Sequence, residues 1–261
     1  MAKYALITGA SSGIGLEFAR IAASQKINLI LLARNSDKMI KLRTELEENY
    51  SIKVLAIGCD LSESDAIEKI TSLLHRRSIV PDILINNAGA GIYGPFSRLH
   101  ANSEMKMIQL NITSLTELTK IIYRQMRKRR KGKILNVSSI AGFLPNPWMA
   151  AYSATKAYVL SFSQALAYEA IGSGVTVTTL CPGPTNTDFE NRASDGKGIK
   201  TFKKNIVDAA SVAKYGWKSM MKGKKVAIYC SCKLRILLFL SRFFPRKIVV
   251  NIAGKMLKPD K

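Results

Sequence analysis

Tyr152 and Lys156 stand four residues apart in a segment of small side chains, AAYSATKAYVLSF, at residues 150–162. Residues i and i+4 share one face of a helix, so a phenol and an ammonium at this spacing stay close together. Reduction of a ketone creates an alkoxide that needs a proton, and a free tyrosine with a pKa of ~10 exchanges its proton poorly near neutral pH. A cation ~4 Å away favours the phenolate by ~4 kcal/mol at an effective dielectric of ~20, which predicts a phenol pKa near 7. The pair alone is also typical of an ordinary surface helix.

A serine and a glycine-rich loop make the chemical interpretation more specific. Ser139 directly follows the apolar run KILNVS and could orient a carbonyl oxygen there. The loop ITGASSGIG, residues 7–15, lies between an apolar run and a helical pattern. Its three glycines suit a sharp turn, close approach of a pyrophosphate to the backbone and tight helix packing. The helix N-terminus then offers free N–H groups to the phosphates, which predicts a dinucleotide site.

Arg34 predicts which dinucleotide is bound. About twenty residues after the glycine loop, the second apolar run ends in LLARNSDK, where an acidic residue would hold the ribose hydroxyls of NAD. This chain has Ala33 and Arg34 instead. A guanidinium suits a 2′-phosphate, so the sequence favours NADP(H) over NAD(H), unless Arg34 is merely solvated.

The elements that must position these groups alternate regularly along the chain. Seven short apolar runs predict strands at residues 3–8, 28–33, 53–58, 82–86, 133–138, 175–181 and 225–230. Helical patterns separate them, including a long helix over about 103–130 and a helix holding Tyr152 that ends near 171. This alternation predicts an α/β fold: a single doubly wound (Rossmann) domain with a seven-stranded parallel sheet and a short helical C-terminal extension. The predicted partition is a catalytic domain at residues 1–231 and a basic amphipathic extension of the same domain at 232–261.

Seven motifs occur in a recognisable order: TGASSGIG (8–15), CDL (59–61), NNAG (86–89), Asn111, NVSS (136–139), YSATK (152–156) and PGPTNT (182–187). Over about residues 3–229 the chain therefore resembles the short-chain dehydrogenase/reductase family, in its ketoacyl-reductase or hydroxysteroid-dehydrogenase-like branch. The resemblance implies that Ser139, Tyr152 and Lys156 are catalytic, with Ser139 thirteen residues before the tyrosine as usual in the family. It also implies that Asn111 supports a water that relays protons through Lys156, although this asparagine could equally be structural.

By the same resemblance, the predicted cofactor contacts are Gly9, Ser11, Ser12, Gly13, Ile14, Gly15, Arg34, Asp60, Leu61, Asn87, Ala88, Gly89, Tyr152, Lys156, Pro182, Gly183, Thr185 and Thr187. The long helix and the Tyr152 helix form the subunit contact in this family, which implies a homodimer or homotetramer.

Side chains after the fourth and fifth strands are candidates for an apolar substrate pocket: Ile92, Tyr93, Phe96, Phe143, Trp148 and Met149. They could equally be ordinary packing residues. The polar, glycine-containing segment 185–202 is typical of a mobile lid.

Charge is unevenly distributed in this chain of 261 residues, which has 40 Lys and Arg against 18 Asp and Glu. Residues 214–261 hold thirteen basic residues and one acid. The end of the chain mixes these cations with large apolar residues and predicts two short amphipathic helices, the second starting near Pro245. They could cover the pocket, form a subunit interface, lie on an anionic membrane, or simply pack with solvated lysines.

Other function classes are less well supported. The scattered cysteines and two separate histidines predict no metal site and no disulfide framework, and no apolar stretch is long enough to span a membrane. The basic run 127–133 is typical of a solvated helix end, where cations complement the helix dipole. It also suggests a rival, a non-catalytic dinucleotide-sensing or nucleic-acid-binding protein, but no aromatic residue is interleaved with it to stack bases. The sequence thus predicts a cytoplasmic oxidoreductase, with membrane contact through the C-terminus as an alternative. It would transfer hydride between NADP(H) and an apolar 3-oxoacyl, steroid-like or simple ketone.

Overall fold

Strands and helices alternate in the computed structural model, which describes residues 3–199 and 206–259. The strands are β1 (Tyr4–Thr8), β2 (Asn28–Ala33), β3 (Val54–Gly58), β4 (Ile83–Asn86), β5 (Gly132–Val137), β6 (Val175–Pro182), β7 (Thr185–Asn186), β8 (Val207–Asp208) and β9 (Val226–Tyr229). The α-helices are α1 (Gly13–Ser24), α2 (Ser36–Tyr50), α3 (Ala66–Arg76), α4 (Ala101–Ile108), α5 (Leu115–Lys128), α6 (Ala150–Glu169), α7 (Phe189–Ala193), α8 (Ala209–Met221), α9 (Cys232–Leu240) and α10 (Arg246–Leu257).

Seven strands form one parallel sheet in the order β3-β2-β1-β4-β5-β6-β9. The strand order reverses between β1 and β4, and open sheets of this kind bind ligands beyond the carboxyl ends of the strands at that point. The predicted doubly wound α/β fold with a seven-stranded parallel sheet is confirmed.

The sheet is apolar on both faces because helices cover both of them. Leu6 pairs with Ile30 and Leu84 and packs towards α3, α5 and α6, whereas its neighbour Ile7 packs towards α1 and α8 on the opposite face. All of these strand side chains are fully buried. Two-sided burial explains why the strands read as continuous apolar runs rather than as alternating patterns.

The predicted long helix is interrupted. The chain forms α4, then a π-helical turn at Gln109–Ser114, then α5. Inside the turn, Asn111 hydrogen-bonds to the main chain of Ala90 through both of its side-chain polar atoms. The periodicity of the sequence does not reveal this π-helical turn, because the contact between Asn111 and Ala90 joins residues that are distant in the sequence.

The C-terminal extension folds as the two predicted short helices, with Pro245 at the N-cap of α10. Two hydrogen bonds hold α10 on the carboxyl edge of the sheet: Tyr93 donates to the Leu257 carbonyl at 2.7 Å, and the Trp148 indole donates to the Gly254 carbonyl at 3.0 Å. The helices therefore cover this edge. In the described ranges 3–199 and 206–259, no helix is both long and apolar enough to cross a membrane.

Candidate active site

A cavity of about 1620 Å³ runs along the carboxyl edge of the sheet. Residues that follow β1 to β6 line it, and α9 and α10 add apolar side chains. All but one of the predicted cofactor residues face this cavity. The exception, Gly15, is buried in α1, where a Cβ would collide with the Gly9 carbonyl oxygen.

The glycine loop forms a cradle that larger side chains would fill. Gly9 and Gly13 have positive φ values of 66° and 54°. A Cβ on Gly9 would lie 2.9 Å from the Ala88 Cα, and one on Gly13 would lie 2.9 Å from the Thr187 Cγ2. Ser12, the N-cap of α1, makes no side-chain capping bond, so first-turn N–H groups remain available at the cavity. The loop therefore fits a dinucleotide pyrophosphate.

Asn87 fixes the loop after β4 against the glycine loop. The main-chain N–H groups of Asn87 and Ala88 both donate to Thr8 Oγ1 at 2.9 Å, and the Asn87 side chain donates to the Thr8 carbonyl at 3.0 Å. These contacts join the two loops on either side of the point where the strand order reverses. Thr8 was not among the predicted site residues, although it is the first residue of the TGASSGIG motif.

Arg34 and Asp60 stand at the ends of β2 and β3 on the same cavity. Burial would raise the pKa of Asp60, but hydrogen bonds from the Ser62 main chain and hydroxyl and the nearby Arg34 charge hold it below its ordinary value. Asp60 is therefore anionic at neutral pH. The exposed Arg34 guanidinium places a positive charge at this end of the cavity.

Ser139, Tyr152 and Lys156 meet at the end of β5. The Lys156 Nζ donates to the Val137 carbonyl at 3.0 Å and lies 5.9 Å from the centroid of the Tyr152 ring. Ser139 hydrogen-bonds to the Tyr152 side chain. Ser138, whose hydroxyl donates to the Lys156 carbonyl at 2.6 Å, ties α6 to the strand. The three predicted catalytic side chains thus form one cluster on the cavity wall.

The electrostatics of this cluster differ from the expectation that Lys156 makes the phenol acidic. Burial raises the pKa of Tyr152 to about 12, and the hydrogen bond with Ser139 offsets only part of this rise. Burial also lowers the pKa of Lys156 from 10.5 to about 8. The predicted phenol pKa near 7 is therefore wrong, because loss of water penalises the charged form of each group.

Asn111 lies behind the cavity rather than on its wall. Besides the bonds to Ala90, its side chain donates to Thr155 Oγ1 at 3.0 Å. A Cβ on Gly89 would sit 3.2 Å from the Lys156 Nζ and 3.3 Å from the Asn111 Oδ1. Because Gly89 has no side chain, the space next to both polar atoms stays free.

Two further asparagines in the recognised motifs join the strands to the helices. Asn86 donates to Thr119 and to Asn136, and Asn136 donates to Ser163, with all four side chains buried. A satisfied buried network of this kind holds β4, β5, α5 and α6 in register. Sequence reasoning gave neither residue a role, although both stand in the motifs NNAG and NVSS.

The six residues predicted for the substrate pocket lie in different places in the structure. Of its six residues, only Met149 lines the described cavity. Tyr93 and Trp148 anchor α10, Ile92 packs in the cluster around them, Phe143 is half-buried in a 3-10 turn, and Phe96 is 68% exposed. Periodicity could not distinguish wall residues from these supporting ones.

Other residues shape the end of the cavity nearest Tyr152. The ring of Phe189 lies 5.4 Å from that of Tyr152, in a space that a side chain at Gly91 would fill. Asn146 holds the turn after β5 by donating to the carbonyls of Ala141 and Leu144 and to Ser153. Phe189 belongs to the predicted lid, of which residues 200–202 lie outside the described residues. Most of the remaining wall is apolar and includes Leu144, Leu234, Leu237, Leu238, Ala253 and Leu257.

The lowered pKa of Lys156 has a consequence for folding. The unfolded chain binds this proton more tightly between pH 8 and 10.5, so raising the pH through this range favours the folded state. Between pH 7 and 9.5, the free energy of unfolding of the wild type should rise by about 2 kcal/mol relative to Lys156→Met. Urea unfolding of both cofactor-free proteins at the two pH values measures this difference. Parallel pH dependence in the two proteins would contradict a lowered pKa.

Comparisons with known proteins agree with this geometry. The profile of a family described as short chain dehydrogenase matches residues 3–198. The chain is 34% identical over 186 residues to very-long-chain 3-oxoacyl-CoA reductase-A from Danio rerio, covering 70% of this chain and 58% of that protein. It is 33% identical over 189 residues to 17-beta-hydroxysteroid dehydrogenase type 3 from Mus musculus, covering 72% and 61%.

The chain thus spans about three fifths of the length of these curated relatives. A solved short-chain dehydrogenase from Sphingobium yanoikuyae in complex with NADPH superposes with a TM-score of 0.80 and 31% identity, covering 87% of both chains.

Proposed function

The chain belongs to the short-chain dehydrogenase family, and from this premise we propose that it is an NADP(H)-dependent carbonyl reductase or alcohol dehydrogenase. The observation that carries the proposal is the joining of Ser139, Tyr152 and Lys156 on the wall of one cavity that also contains the glycine loop. The bound nicotinamide would supply or accept the hydride at the substrate carbon. The side chains of this protein would hydrogen-bond to the substrate oxygen and transfer its proton.

Tyr152 is the proposed proton donor for reduction. With a pKa raised to about 12, the phenol is fully protonated at neutral pH and can give its proton to a more basic alkoxide oxygen. Ser139, hydrogen-bonded to the same phenol, is placed to donate a second hydrogen bond to the carbonyl oxygen. The buried setting strengthens both interactions because water does not compete for the oxygen.

Lys156 has two proposed roles. Its ammonium form, which predominates below pH 8, favours the phenolate that remains after proton transfer. It would also hold the ribose hydroxyls of the cofactor. The space beside Gly89, between the Lys156 and Asn111 polar atoms, is where a relay water would pass a proton back towards Tyr152.

NADP(H) is the proposed cofactor, with the glycine loop holding the pyrophosphate, Asp60 and Leu61 beside the adenine, and Arg34 holding the 2′-phosphate. The NADPH complex of the related Sphingobium yanoikuyae enzyme supports this proposal. Residues that follow β4 and β6 complete the proposed cofactor contacts: Asn87, Ala88, Gly89, Pro182, Gly183, Thr185 and Thr187.

Arg34→Asp should weaken NADPH binding by about tenfold or more, because a charge-assisted phosphate contact is replaced by repulsion. NADH binding should stay the same or tighten, since NADH has no phosphate at this position and an acidic residue there can hold its ribose hydroxyls. Fluorescence titration with each dinucleotide measures both effects. Arg98→Asp is the matched control, as it makes the same charge change at an exposed site outside the described cavity lining. If Arg34→Asp lost the same affinity for NADPH as for NADH, Arg34 would not be the residue that binds the 2′-phosphate.

An apolar ketone is the proposed substrate class, either a 3-oxoacyl compound, a steroid-like ketone or a simple ketone. The apolar side chains from α9 and α10 on the cavity wall support it, as do the names of the relatives. A panel of such carbonyl compounds, followed by loss of NADPH fluorescence beside an NADH control, tests the proposal. Absence of any reduction by protein that binds NADPH would refute it.

Three cations of the basic run at residues 127–133 make contacts within the fold. Arg129 donates to the Pro81 carbonyl at 2.8 Å, Arg130 to the Gly172 carbonyl at 3.1 Å and Lys133 to the Met221 carbonyl at 3.2 Å. These contacts join the end of α5 and the start of β5 to neighbouring segments, which gives part of the run a structural role and weakens the rival nucleic-acid function.

We also propose a homodimer or homotetramer assembled through α5 and α6, whose exposed side chains include Tyr158 and Tyr168. The proposed partition keeps residues 1–231 as the catalytic domain and 232–261 as its extension. The proposed location is the cytoplasm, with contact to a membrane surface through that extension.

A further inference from the structure

The outer surface of residues 232–257, here called the C-terminal cap, exposes an unusual number of large apolar side chains. Seven of them are at least 45% exposed: Ile236, Phe239, Leu240, Phe243, Phe244, Ile248 and Ile252. Phe239 and Phe243 pack edge to face with ring centroids 5.4 Å apart, and Phe244 follows at the tip between the two helices. Single exposed apolar residues are normal, but a contiguous group marks an interaction surface.

The charge of the same segment indicates the chemistry of its partner. Residues 232–259 contain seven basic residues and no acidic one. All seven are exposed: Lys233, Arg235, Arg242, Arg246, Lys247, Lys255 and Lys258. Basic residues that flank exposed aromatic and aliphatic side chains suit an anionic lipid surface, where the cations meet headgroups and the apolar groups enter the acyl boundary.

A second copy of this chain fits the surface less well. In a twofold dimer the same patch meets itself, so the seven cations of one cap would face those of the other. With no carboxylate in residues 232–259 to neutralise them, this contact is electrostatically unfavourable.

The inner side of the cap lines the cavity. Leu234, Leu238 and Leu257 face it as well-covered wall residues. Leu237 on α9 and Met256 on α10 also line the cavity, yet they are 39% and 44% exposed. Side chains that are both cavity wall and outer surface mark the rim of an opening. Leu237 and Met256 place part of this rim on the apolar, basic surface of the cap, and Ile206, which is 45% exposed, continues it beside the cap.

We propose that the C-terminal cap docks on an anionic lipid bilayer, and that apolar ketones dissolved in the bilayer enter the cavity between Leu237 and Met256. The docking half stands on the exposed surface and its charge alone. The entry half rests on the proposed reductase function. A bilayer-facing opening would deliver an apolar substrate to the cavity whose wall includes Tyr152.

Co-sedimentation of the full chain with lipid vesicles tests docking. Wild-type protein should sediment with vesicles of phosphatidylcholine and phosphatidylglycerol at a 3:1 ratio in low salt, and much less with pure phosphatidylcholine or in 0.5 M salt. Two cap variants should each lose about tenfold or more in apparent affinity: Phe243→Ser/Phe244→Ser and Arg242→Glu/Arg246→Glu. The replaced side chains are exposed, so folding should be unaffected, and circular dichroism checks this.

Matched control variants distinguish vesicle binding by the C-terminal cap from nonspecific electrostatic or hydrophobic binding by the rest of the protein. Ile40→Ser removes an apolar side chain that is 61% exposed on α2, and Lys214→Glu/Lys218→Glu makes the same charge change on α8. Both should bind vesicles within about threefold of the wild type. Docking is overturned if the wild type stays in the supernatant at low salt, or if the controls lose as much affinity as the cap variants. It is also overturned if Phe243→Ser/Phe244→Ser dissociates an oligomer that does not bind vesicles, which light scattering would reveal.

Entry from the bilayer is tested with two ketones, one long-chain and dissolved in the vesicles, the other short-chain and water-soluble. The ratio of their kcat/KM values should fall by fivefold or more in Phe243→Ser/Phe244→Ser. An unchanged ratio overturns the entry route. If the wild type reduces neither ketone, the reductase proposal and the entry route both fail, whereas docking is decided by the vesicle experiment.

Discussion

Tyr152→Phe should lower kcat for ketone reduction by about 10³-fold and leave NADPH affinity nearly unchanged. The substitution removes only the phenolic oxygen, which is the proposed proton donor, and positioned acids typically contribute 10²–10⁴-fold. The ring, its contact with Phe189 and its burial are retained. Loss of the hydrogen bond with Ser139 should cost about 1 kcal/mol of folding free energy, too little to unfold the domain. Steady-state kinetics and NADPH fluorescence titration measure the two quantities separately.

Tyr123→Phe provides a matched control for this experiment. Tyr123 is 7% exposed, against 6% for Tyr152, and its buried hydroxyl has no hydrogen-bond partner in the described structure. Removal of that hydroxyl should leave kcat unchanged. Wild-type turnover in Tyr152→Phe would mean that another group protonates the alkoxide, and the catalytic assignment would be abandoned.

Lys156→Met should lower kcat by about a hundredfold and also weaken NADPH binding. A unit charge ~6 Å from the reacting phenol contributes about 3 kcal/mol at an effective dielectric of ~20, which corresponds to about a hundredfold in rate. The Lys156 Nζ lies 5.9 Å from the centroid of the Tyr152 ring, and the charge of a phenolate is shared between that ring and its oxygen. Methionine fills a similar volume without charge, so the loss reports on the ammonium rather than on packing. Kinetics at pH 7, where the ammonium form predominates, give the full effect.

Lys133→Met is the corresponding control because it makes the same lysine-to-methionine substitution near the start of β5, at the opposite end of this strand from the active site. The Lys133 Nζ donates to the Met221 carbonyl at 3.2 Å, and burial lowers its pKa in the same direction as that of Lys156. Its loss should affect stability but not kcat. If Lys156→Met and Lys133→Met reduced kcat equally, Lys156 would be a structural lysine and its catalytic role would be withdrawn.

The amino-acid pattern alone was enough to predict the sheet, the order of its helices and the loops that hold the site. Apolar runs such as NLILLA can only be buried on both faces, and this forces a parallel sheet covered by helices on each side. The carboxyl ends of those strands then meet at one edge, so Gly9, Arg34 and Ser139, which follow or end strands, converge there, whereas Asn87 was assigned to this edge by the family resemblance. Each of these features depends on residues that are neighbours in the sequence, so the sequence is sufficient to predict it.

Only the tertiary structure decided how strongly the site is buried and what covers it. The pKa of Tyr152 moves upward rather than downward because desolvation depends on every segment packed around the phenol. Asn111 lies in a π-helical turn and bonds to Ala90, and Tyr93 and Trp148 hold α10 because their polar atoms meet carbonyls more than a hundred residues away. Such contacts join positions with no periodic relationship in the sequence, so their outcome is settled by three-dimensional packing.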